Sequence, residues 1–273
     1  MRYLGPAQMT EKIIGLTEWF STPPGRYLLA WEQDRFDVAV ADVFGFNALQ
    51  LGLPELDALR ANRMPHRWLS LPEAEAVAHH PRAVLVTDAA ALPFPEASLD
   101  LVVLPHTLEF SADPHQVLRE VERVLVPEGR VVITGFNPAS WWGLRQGRVK
   151  ALQYLGMGAE DASDLFVPEA GDFIGPGRLR DWLRLLSFEI GAQQYGCYRP
   201  ALRTEKWMHR LRWMDRLGPR WWPIFGAVYV TTAVKRVRGM RLLGPAWKPR
   251  RVPTTAPVPL ANRHSSRHTQ QRG

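Results

Sequence analysis

Three predicted strands and one amphipathic helix follow each other between residues 83 and 136, and their order constrains the fold more than any other feature. The strands are Ala83–Thr87, Leu101–Leu104 and Arg130–Phe136. The helix, residues 113–125, begins with Asp113-Pro114, a pair typical of a helix N-terminus, and repeats apolar residues at helical spacing. Short continuous apolar strands alternating with such a helix predict parallel βαβ units with right-handed crossovers.

Weaker patterns extend this α/β core in both directions. The elements predicted before it are a helix at Thr10–Phe20, a helix from about Tyr27 that closes near Gly45, and strands at Ala48–Leu53 and Arg67–Leu71. Those predicted after it are a helix at Gly177–Leu186 and strands at Phe188–Tyr195 and Val228–Val237. A pair of strands at the end of such a chain predicts a mixed sheet whose last strand is antiparallel.

The length and composition suit one domain with a tail. The chain has 273 residues, of which 46% are apolar, enough for a single large core. We expect this domain to cover residues 1–238, with helices over about 10–44 and a lid over 139–176 that is rich in Trp, Gly and Arg. Residues 239–273 contain few large apolar side chains among Pro, Arg, Ser and Thr, which predicts a disordered basic tail.

The positive charge is concentrated at the end of the chain. No acidic residue follows Asp215, whereas twelve of the 34 Lys and Arg residues do. Binding of a polyanion, either RNA or an anionic membrane, is therefore expected at this basic C-terminal region. The segment Arg203–Trp222 overlaps the start of this basic region. It predicts an amphipathic helix with Trp207, Leu211, Met214 and Leu217 on one face. Such a helix could pack on the sheet, lie on a membrane or cover a substrate pocket.

Cysteine usage and hydropathy indicate the compartment. The single cysteine, Cys197, cannot form an intramolecular disulfide or a thiolate metal site, so a reducing environment is expected. The first ten residues lack the pattern of a signal peptide, and the longest nearly apolar run, Pro223–Val234, is too short to span a bilayer. These features predict a cytoplasmic protein.

A series of motifs between Asp88 and Pro138 identifies a family. They are Asp88–Phe94, Ser98–Val103, Leu118–Leu125 and Pro127–Gly129. In order and spacing they resemble the class I S-adenosylmethionine-dependent methyltransferases of type 11. The runs His106–Leu108, Asp113–His115, Gly135–Pro138 and Gly143–Arg145 resemble the YafS-like branch of that family.

This resemblance implies a fold, a reaction and a cofactor. The fold would be a Rossmann-like α/β domain with a mostly parallel seven-stranded sheet and an antiparallel last strand. The reaction would transfer a methyl group from S-adenosylmethionine to an unidentified acceptor, expected to be a small molecule. The alternative is a non-catalytic protein on the same fold that binds RNA or an anionic membrane through its basic C-terminal region.

The resemblance also implies where the cofactor would bind. Asp88 corresponds to the Asp that binds the adenine amino group, and Ala89 would offer its backbone N–H to the ring. Alternatively, Asp88 only caps the turn that follows it. Leu104 and Pro105, at the end of the next strand, are also expected at the cofactor site, and Pro105 would face the acceptor side.

The ribose and methionine side departs from the family pattern. Gln50-Leu51-Gly52 aligns with the family's Asp-x-Gly, so one glycine remains and an amide replaces the acid. Ser70 lies near the position where the second strand should end with a ribose-binding acid. Losing a carboxylate contact to both hydroxyls should cost about 1.5–3 kcal/mol, which weakens cofactor binding without excluding it.

His106 is the candidate catalytic residue. It follows Pro105 on the expected acceptor side, where it could act as a general base near neutral pH or only position a hydrogen bond. The sequence Leu104-Pro105-His106-Thr107 lacks the motif of enzymes that methylate adenine amino groups, and Cys197 lies too late to be the nucleophile of a cytosine-C5 enzyme. No metal site is predicted.

Overall fold

The computed structural model describes residues 19–145, 147, 173–200 and 205–236. The chain divides into two compact units, Met1–Val237 and Arg238–Gly273, and the second lies wholly outside the described residues. Most of the predicted helix at Thr10–Phe20 and most of the predicted lid over 139–176 also lie outside them.

Seven strands and seven α-helices are assigned bounds in the described parts of the chain. The strands are β1 Asn47–Leu51, β2 His66–Leu71, β3 Ala83–Val86, β4 Leu99–Pro105, β5 Leu125–Phe136, β6 Phe188–Gly196 and β7 Val228–Lys235. The helices are α1 Pro23–Ala41, α2 Ala74–His79, α3 Thr107–Phe110, α4 Pro114–Val124, α5 Pro176–Leu185, α6 Glu205–Arg210 and α7 Trp213–Trp221. A 3₁₀ helix, Pro223–Phe225, precedes β7, and residues 141–145 are also helical.

The strands form one mixed sheet in the order β3-β2-β1-β4-β5-β7-β6. The pairs among β1 to β5 are parallel, and β7 is antiparallel to both of its neighbours. The predicted fold class is therefore confirmed, including the antiparallel last strand. Strand order reverses between β1 and β4, which is the point where open α/β sheets bind their ligands.

Helices cover both faces of the sheet because side chains alternate along its strands. Leu101 and Val103 of β4 share one buried cluster with Phe36 and Val40 of α1. Val102 and Leu104 share the other cluster with the apolar stripe of α4 and with α5. Burying one such aliphatic side chain contributes about 1.5–3 kcal/mol, so these two layers hold the strand ends in place.

The predicted N-terminus of helix α4 is confirmed. The Asp113 carboxylate accepts a hydrogen bond from the Gln116 backbone N–H at 3.0 Å, and Pro114 opens the helix. The turn predicted at Pro127–Gly129 instead lies within β5. Leu99 pairs with Leu125 and Leu101 with Arg130, so residues 126–129 form a bulge.

Two predicted helix boundaries were wrong. Helix α1 ends at Ala41, with Asp42 as its C-cap, rather than near Gly45. Gly45 instead allows a close approach of the backbone to Asp100, because a Cβ on Gly45 would lie only 2.3 Å from Asp100 Cγ. The helix predicted at Arg203–Trp222 is two helices, α6 and α7. No helix in the described ranges is long and apolar enough to cross a membrane.

Candidate functional site

Gly52 follows β1 directly at the reversal of strand order. Its φ of +77° lies in the left-handed region, which glycine adopts without a steric penalty. Within 4 Å, a Cβ at this position would meet only the Thr107 hydroxyl oxygen, at 3.8 Å. Space for a ligand is therefore open beside this stretch of backbone.

Neighbouring polar groups fix the backbone around Gly52. Its N–H donates to the Ser70 carbonyl oxygen at 2.8 Å, linking the ends of β1 and β2. The Thr107 hydroxyl donates to the Leu51 carbonyl oxygen at 2.6 Å, linking β1 to the segment after β4. The Ser70 hydroxyl is buried and has no hydrogen-bond partner. An orphaned hydroxyl at this point suits a pocket whose polar ligand would complete it.

Gln50 is buried and organises the loop after β1. Its amide nitrogen donates to the carbonyl oxygens of Gly52, Leu53 and Leu56, at 3.2, 3.0 and 2.8 Å. Its amide oxygen accepts from the Ala58 N–H at 3.0 Å. Gln50 was predicted to contact the cofactor. In the structure its side chain instead holds the loop after β1, whose backbone would contact the cofactor. An amide suits this position because the same group must both donate and accept.

Asp88 and Ala89 follow β3 on an accessible turn. The Asp88 carboxylate accepts a hydrogen bond from the Ala90 N–H at 2.9 Å, and its carbonyl oxygen accepts from the Ala91 N–H at 3.0 Å. Asp88 therefore caps its own turn while its side chain stays exposed, and Ala89 is half-buried. Because this cap uses one carboxylate oxygen, the other could accept a hydrogen bond from a ligand. The adenine-binding role of Asp88 stays a prediction.

Leu104 and Pro105 form the end of β4. Both are buried, and Leu104 contributes its side chain to the cluster under α4. Pro105 pairs with Thr134 of β5, which fixes where the strand stops. Contact with a ligand at Leu104 would involve its backbone, because the side chain points into the core.

His106 lies between two carboxylates in a site closed to solvent. Its Nδ1 is 2.8 Å from Glu109 Oε2, and its Nε2 is 2.8 Å from Glu32 Oε1. The His106 and Glu32 side chains are 0% exposed and that of Glu109 is 2% exposed. The second oxygen of Glu109 accepts from the Phe136 N–H at 2.7 Å. This Glu32–His106–Glu109 triad joins α1, the end of β4 and the end of β5.

The triad favours a protonated imidazole. Burial alone would lower the pKa of His106, but the adjacent Glu32 and Glu109 carboxylates outweigh it and raise that pKa to about 10. Burial raises the pKa of Glu109, which its hydrogen bonds to His106 and Phe136 partly offset. With both ring nitrogens in hydrogen bonds to carboxylates, His106 can act as a general base only if one of those bonds opens.

Both carboxylates of the triad were missed from the sequence, although a signal existed. Helix α1 buries Leu28, Glu32, Phe36 and Val40, which recur every fourth residue. A glutamate within such an apolar stripe indicates a buried charge with a partner. Glu73 was not considered from the sequence: it is half-buried and is the first acidic residue after β2.

A family model matches a segment of the chain that contains part of this candidate site. The type 11 family model, described as a methyltransferase domain, matches residues 69–133, from the end of β2 into β5. The match covers Asp88, Leu104, Pro105 and His106 but begins after Gly52. YafS of Escherichia coli, an uncharacterized protein, is 29% identical over 186 residues, which are 68% of this chain and 70% of YafS.

Two enzymes match shorter segments. The malonyl-[acyl-carrier protein] O-methyltransferase of Halorhodospira halophila is 40% identical over 65 residues, 24% of this chain and 22% of that enzyme. The demethylmenaquinone methyltransferase of Thermus thermophilus is 43% identical over 54 residues, 20% of this chain and 24% of that enzyme. The chain thus spans about a quarter of the length of each.

Solved structures share the fold. A SAM-dependent methyltransferase of Thermotoga maritima superposes with a TM-score of 0.54 at 16% identity, covering 81% of this chain and 94% of that one. One from Archaeoglobus fulgidus gives a TM-score of 0.51 at 15% identity, covering 76% and 94%. In the ranges that the structure describes, no group of three or more His, Cys, Asp or Glu residues could hold a metal ion.

The sequence and structure matches together make the chain a relative of YafS that carries a type 11 methyltransferase match on the class I methyltransferase fold.

Proposed function

We propose that this protein is an S-adenosylmethionine-dependent methyltransferase that methylates a small-molecule acceptor. The observation that carries the proposal is the left-handed turn at Gly52, placed at the reversal of strand order with open space beside its backbone. The family match to the following segment supports the same cofactor. When bound, S-adenosylmethionine would supply an activated methyl group.

The residues around this turn fit the parts of the cofactor. Gly52 would line its methionine and ribose portion, since the open side of its backbone allows close approach. Asp88 and Ala89 would bind the adenine ring by the exposed carboxylate and a backbone N–H. The orphaned Ser70 hydroxyl and the Glu73 carboxylate would take the place of the missing ribose-binding acid. Leu104 and Pro105 would bound the adenine side.

For His106 we propose a positioning role. The triad holds α1 against the ends of β4 and β5, next to the point where an acceptor would approach. Methyl transfer depends chiefly on placing a nucleophile in line with the activated group, which a rigid edge of the sheet favours. A general-base role for His106 stays a prediction, and the two roles differ in the pH at which the imidazole titrates.

The acceptor and the compartment belong to the proposal too. The two matched enzymes, named for malonyl-[acyl-carrier protein] and demethylmenaquinone, share only short segments with this chain, so we carry neither acceptor over. We place the reaction in the cytoplasm, where the buried thiol of Cys197 would stay reduced.

Calorimetry with S-adenosylmethionine and its demethylated product tests the proposal. We expect the wild-type protein to bind both, and Gly52→Ala to weaken binding about tenfold or more because the new Cβ enters the open space and strains the turn by about 1–2 kcal/mol. Gly177→Ala is the matched control, since a Cβ on Gly177, which lies in α5, would meet nothing within 4 Å. No binding to a folded wild-type sample at millimolar ligand would contradict the proposal.

A further inference from the structure

Helix α7 exposes two adjacent stripes of side chains. Trp213, Leu217 and Trp221 recur every fourth residue and are 50%, 40% and 71% exposed. Arg212, Arg216 and Arg220, each one position earlier, are also exposed. Residues four apart lie above one another on a helix, so an apolar stripe runs beside a cationic one. We refer to these six residues as the Trp–Arg face.

The opposite side of α7 is fixed against the protein. Gly218 is buried against the ring of Tyr198, which leaves no room for a side chain there. Asp215 forms an ion pair with Arg199 at 2.6 Å and accepts a hydrogen bond from the Tyr27 hydroxyl. The acidic residue of α7 is thereby engaged with partners on other segments. The helix cannot rotate to bury its apolar stripe without breaking these contacts.

Further apolar groups extend the surface. Trp141, Ile224 and Phe225 are 63%, 55% and 39% exposed. An almost wholly apolar groove of about 420 Å³ is lined by Trp141, Pro200, Met214, Trp222 and Phe225. Exposed apolar surface of this extent beside two arginines of α7 and its N-cap, Arg212, is unusual for a side that faces only water.

We propose that the Trp–Arg face binds the surface of an anionic lipid bilayer, with α7 lying in the interfacial plane. Tryptophan suits the boundary between headgroups and acyl chains because its ring is apolar and its N–H is polar. Arginines beside it would contact lipid phosphates, and Leu217 and Ile224 would enter the acyl region. The groove could then admit part of a lipid chain.

Charge selects this partner over two others. In a symmetric dimer the same patch would face itself, so Arg212, Arg216 and Arg220 of both copies would be concentrated in one interface, where like charges repel. RNA would satisfy the arginines, and its bases could stack on Trp213 and Trp221, but it would leave the exposed aliphatic side chains of Leu217 and Ile224 without an apolar partner. An anionic bilayer complements both stripes together.

The proposed surface lies beside the candidate site. Asn137 follows β5 directly, and its side-chain amide donates to the carbonyl oxygens of Ile224 and Gly226 at 2.6 and 2.9 Å. These bonds attach the 3₁₀ helix to the carboxyl end of β5. A protein bound in this way would hold that edge of its sheet near the membrane surface.

Flotation of the full-length protein with lipid vesicles tests the proposal. We expect binding to vesicles of phosphatidylcholine and phosphatidylglycerol, and much weaker binding to phosphatidylcholine alone. Trp213→Ala with Trp221→Ala should lower the partition coefficient about tenfold or more, and Arg212→Gln with Arg216→Gln and Arg220→Gln should do the same.

Matched controls separate this face from general charge or hydrophobicity. Phe44→Ala with Phe46→Ala removes two aromatic residues that are 79% and 71% exposed elsewhere. Arg63→Gln with Arg119→Gln and Arg184→Gln removes the same charge from other exposed positions. Both controls should bind vesicles like the wild type.

Three results would overturn the proposal. One is unchanged vesicle binding by the Trp and Arg variants, which would assign any attraction to another part of the chain. A second is an equal loss of vesicle binding by the control variants. The third is a wild type that binds single-stranded RNA through this face but not vesicles. Far-ultraviolet circular dichroism and thermal unfolding of each variant would show that the protein remains folded.

Discussion

At the scale of single residues, the most consequential side chain is His106. Both ring nitrogens contact carboxylates, and the pKa of His106 is raised to about 10, from an ordinary value of 6.5, as those carboxylates outweigh its burial. A histidine with a raised pKa contributes stability that is fully present below its unfolded pKa. That contribution is lost as the pH rises from about 6.5 through about 10.

Nitrogen NMR of the imidazole tests this arrangement. We expect His106 to remain protonated at pH 8, and the free energy of unfolding to fall between pH 7 and pH 10. A variant with Glu32→Gln and Glu109→Gln should lower the pKa of His106 to its ordinary value or below, because both carboxylates are removed and burial then disfavours the charged imidazole unopposed. A wild-type midpoint near 6.5 would contradict the triad and favour the general-base role.

Some residues of the candidate site could be proposed from the sequence and others could not. Sequence reasoning identified His106 from its place after a strand, but it did not find Glu32, which reaches His106 only because α1 folds back across the sheet. A contact between positions so far apart in sequence depends on tertiary packing, which local patterns do not encode. Asp88 could be proposed from the sequence because its motif is local, and its role stays a prediction.

At the scale of elements, the loop after β1 depends on one amide. Gln50 donates to three carbonyl oxygens and accepts from the Ala58 N–H. Gln50→Glu would restore the type of acid expected by the family pattern, yet it would place a carboxylate against three acceptors in a buried site. We expect a loss of about 1–3 kcal/mol or more in the free energy of unfolding, measured by urea denaturation.

The matched control for this change is Gln33→Glu, a second glutamine whose side chain bonds the backbone, in this case of Asp57, from a part-buried position. It should cost less, because water can reach the new charge and screens it from the Asp37 carboxylate, to which the Gln33 amide donates at 3.0 Å. Equal stability of Gln50→Glu and wild type would show that the loop does not depend on the amide.

Most elements were predictable because their signals are local. The β3–β4–α4–β5 segment was located within a few residues from apolar runs and the Asp113-Pro114 helix start. The wrong boundaries lie where tertiary contacts decide. Gly45 was expected to end a helix, but the structure uses it for close packing against Asp100. The helix predicted at Arg203–Trp222 is divided between Arg210 and Trp213, and its predicted apolar face is partly exposed.

At the scale of the whole molecule, the fold and the candidate site agree. The strand order places Gly52, Ser70, Asp88 and Pro105 at or just after the carboxyl ends of neighbouring strands, although they are widely separated in sequence. The family match covers the residues proposed to bind adenine, and the turn at Gly52 supplies an accessible backbone on the other side of the candidate site. The sequence showed a degenerate motif there, but the geometry of the turn could be seen only in the folded chain.

A crystal structure of the protein with the demethylated product of S-adenosylmethionine tests the central claim most directly. We predict adenine beside Asp88 and Ala89, ribose near Ser70 and Glu73, and the amino acid portion along Gly52. Two results would contradict this claim. One is a ligand bound elsewhere on the protein, and the other is no ligand at the carboxyl ends of β1 and β4 in a crystal saturated with it.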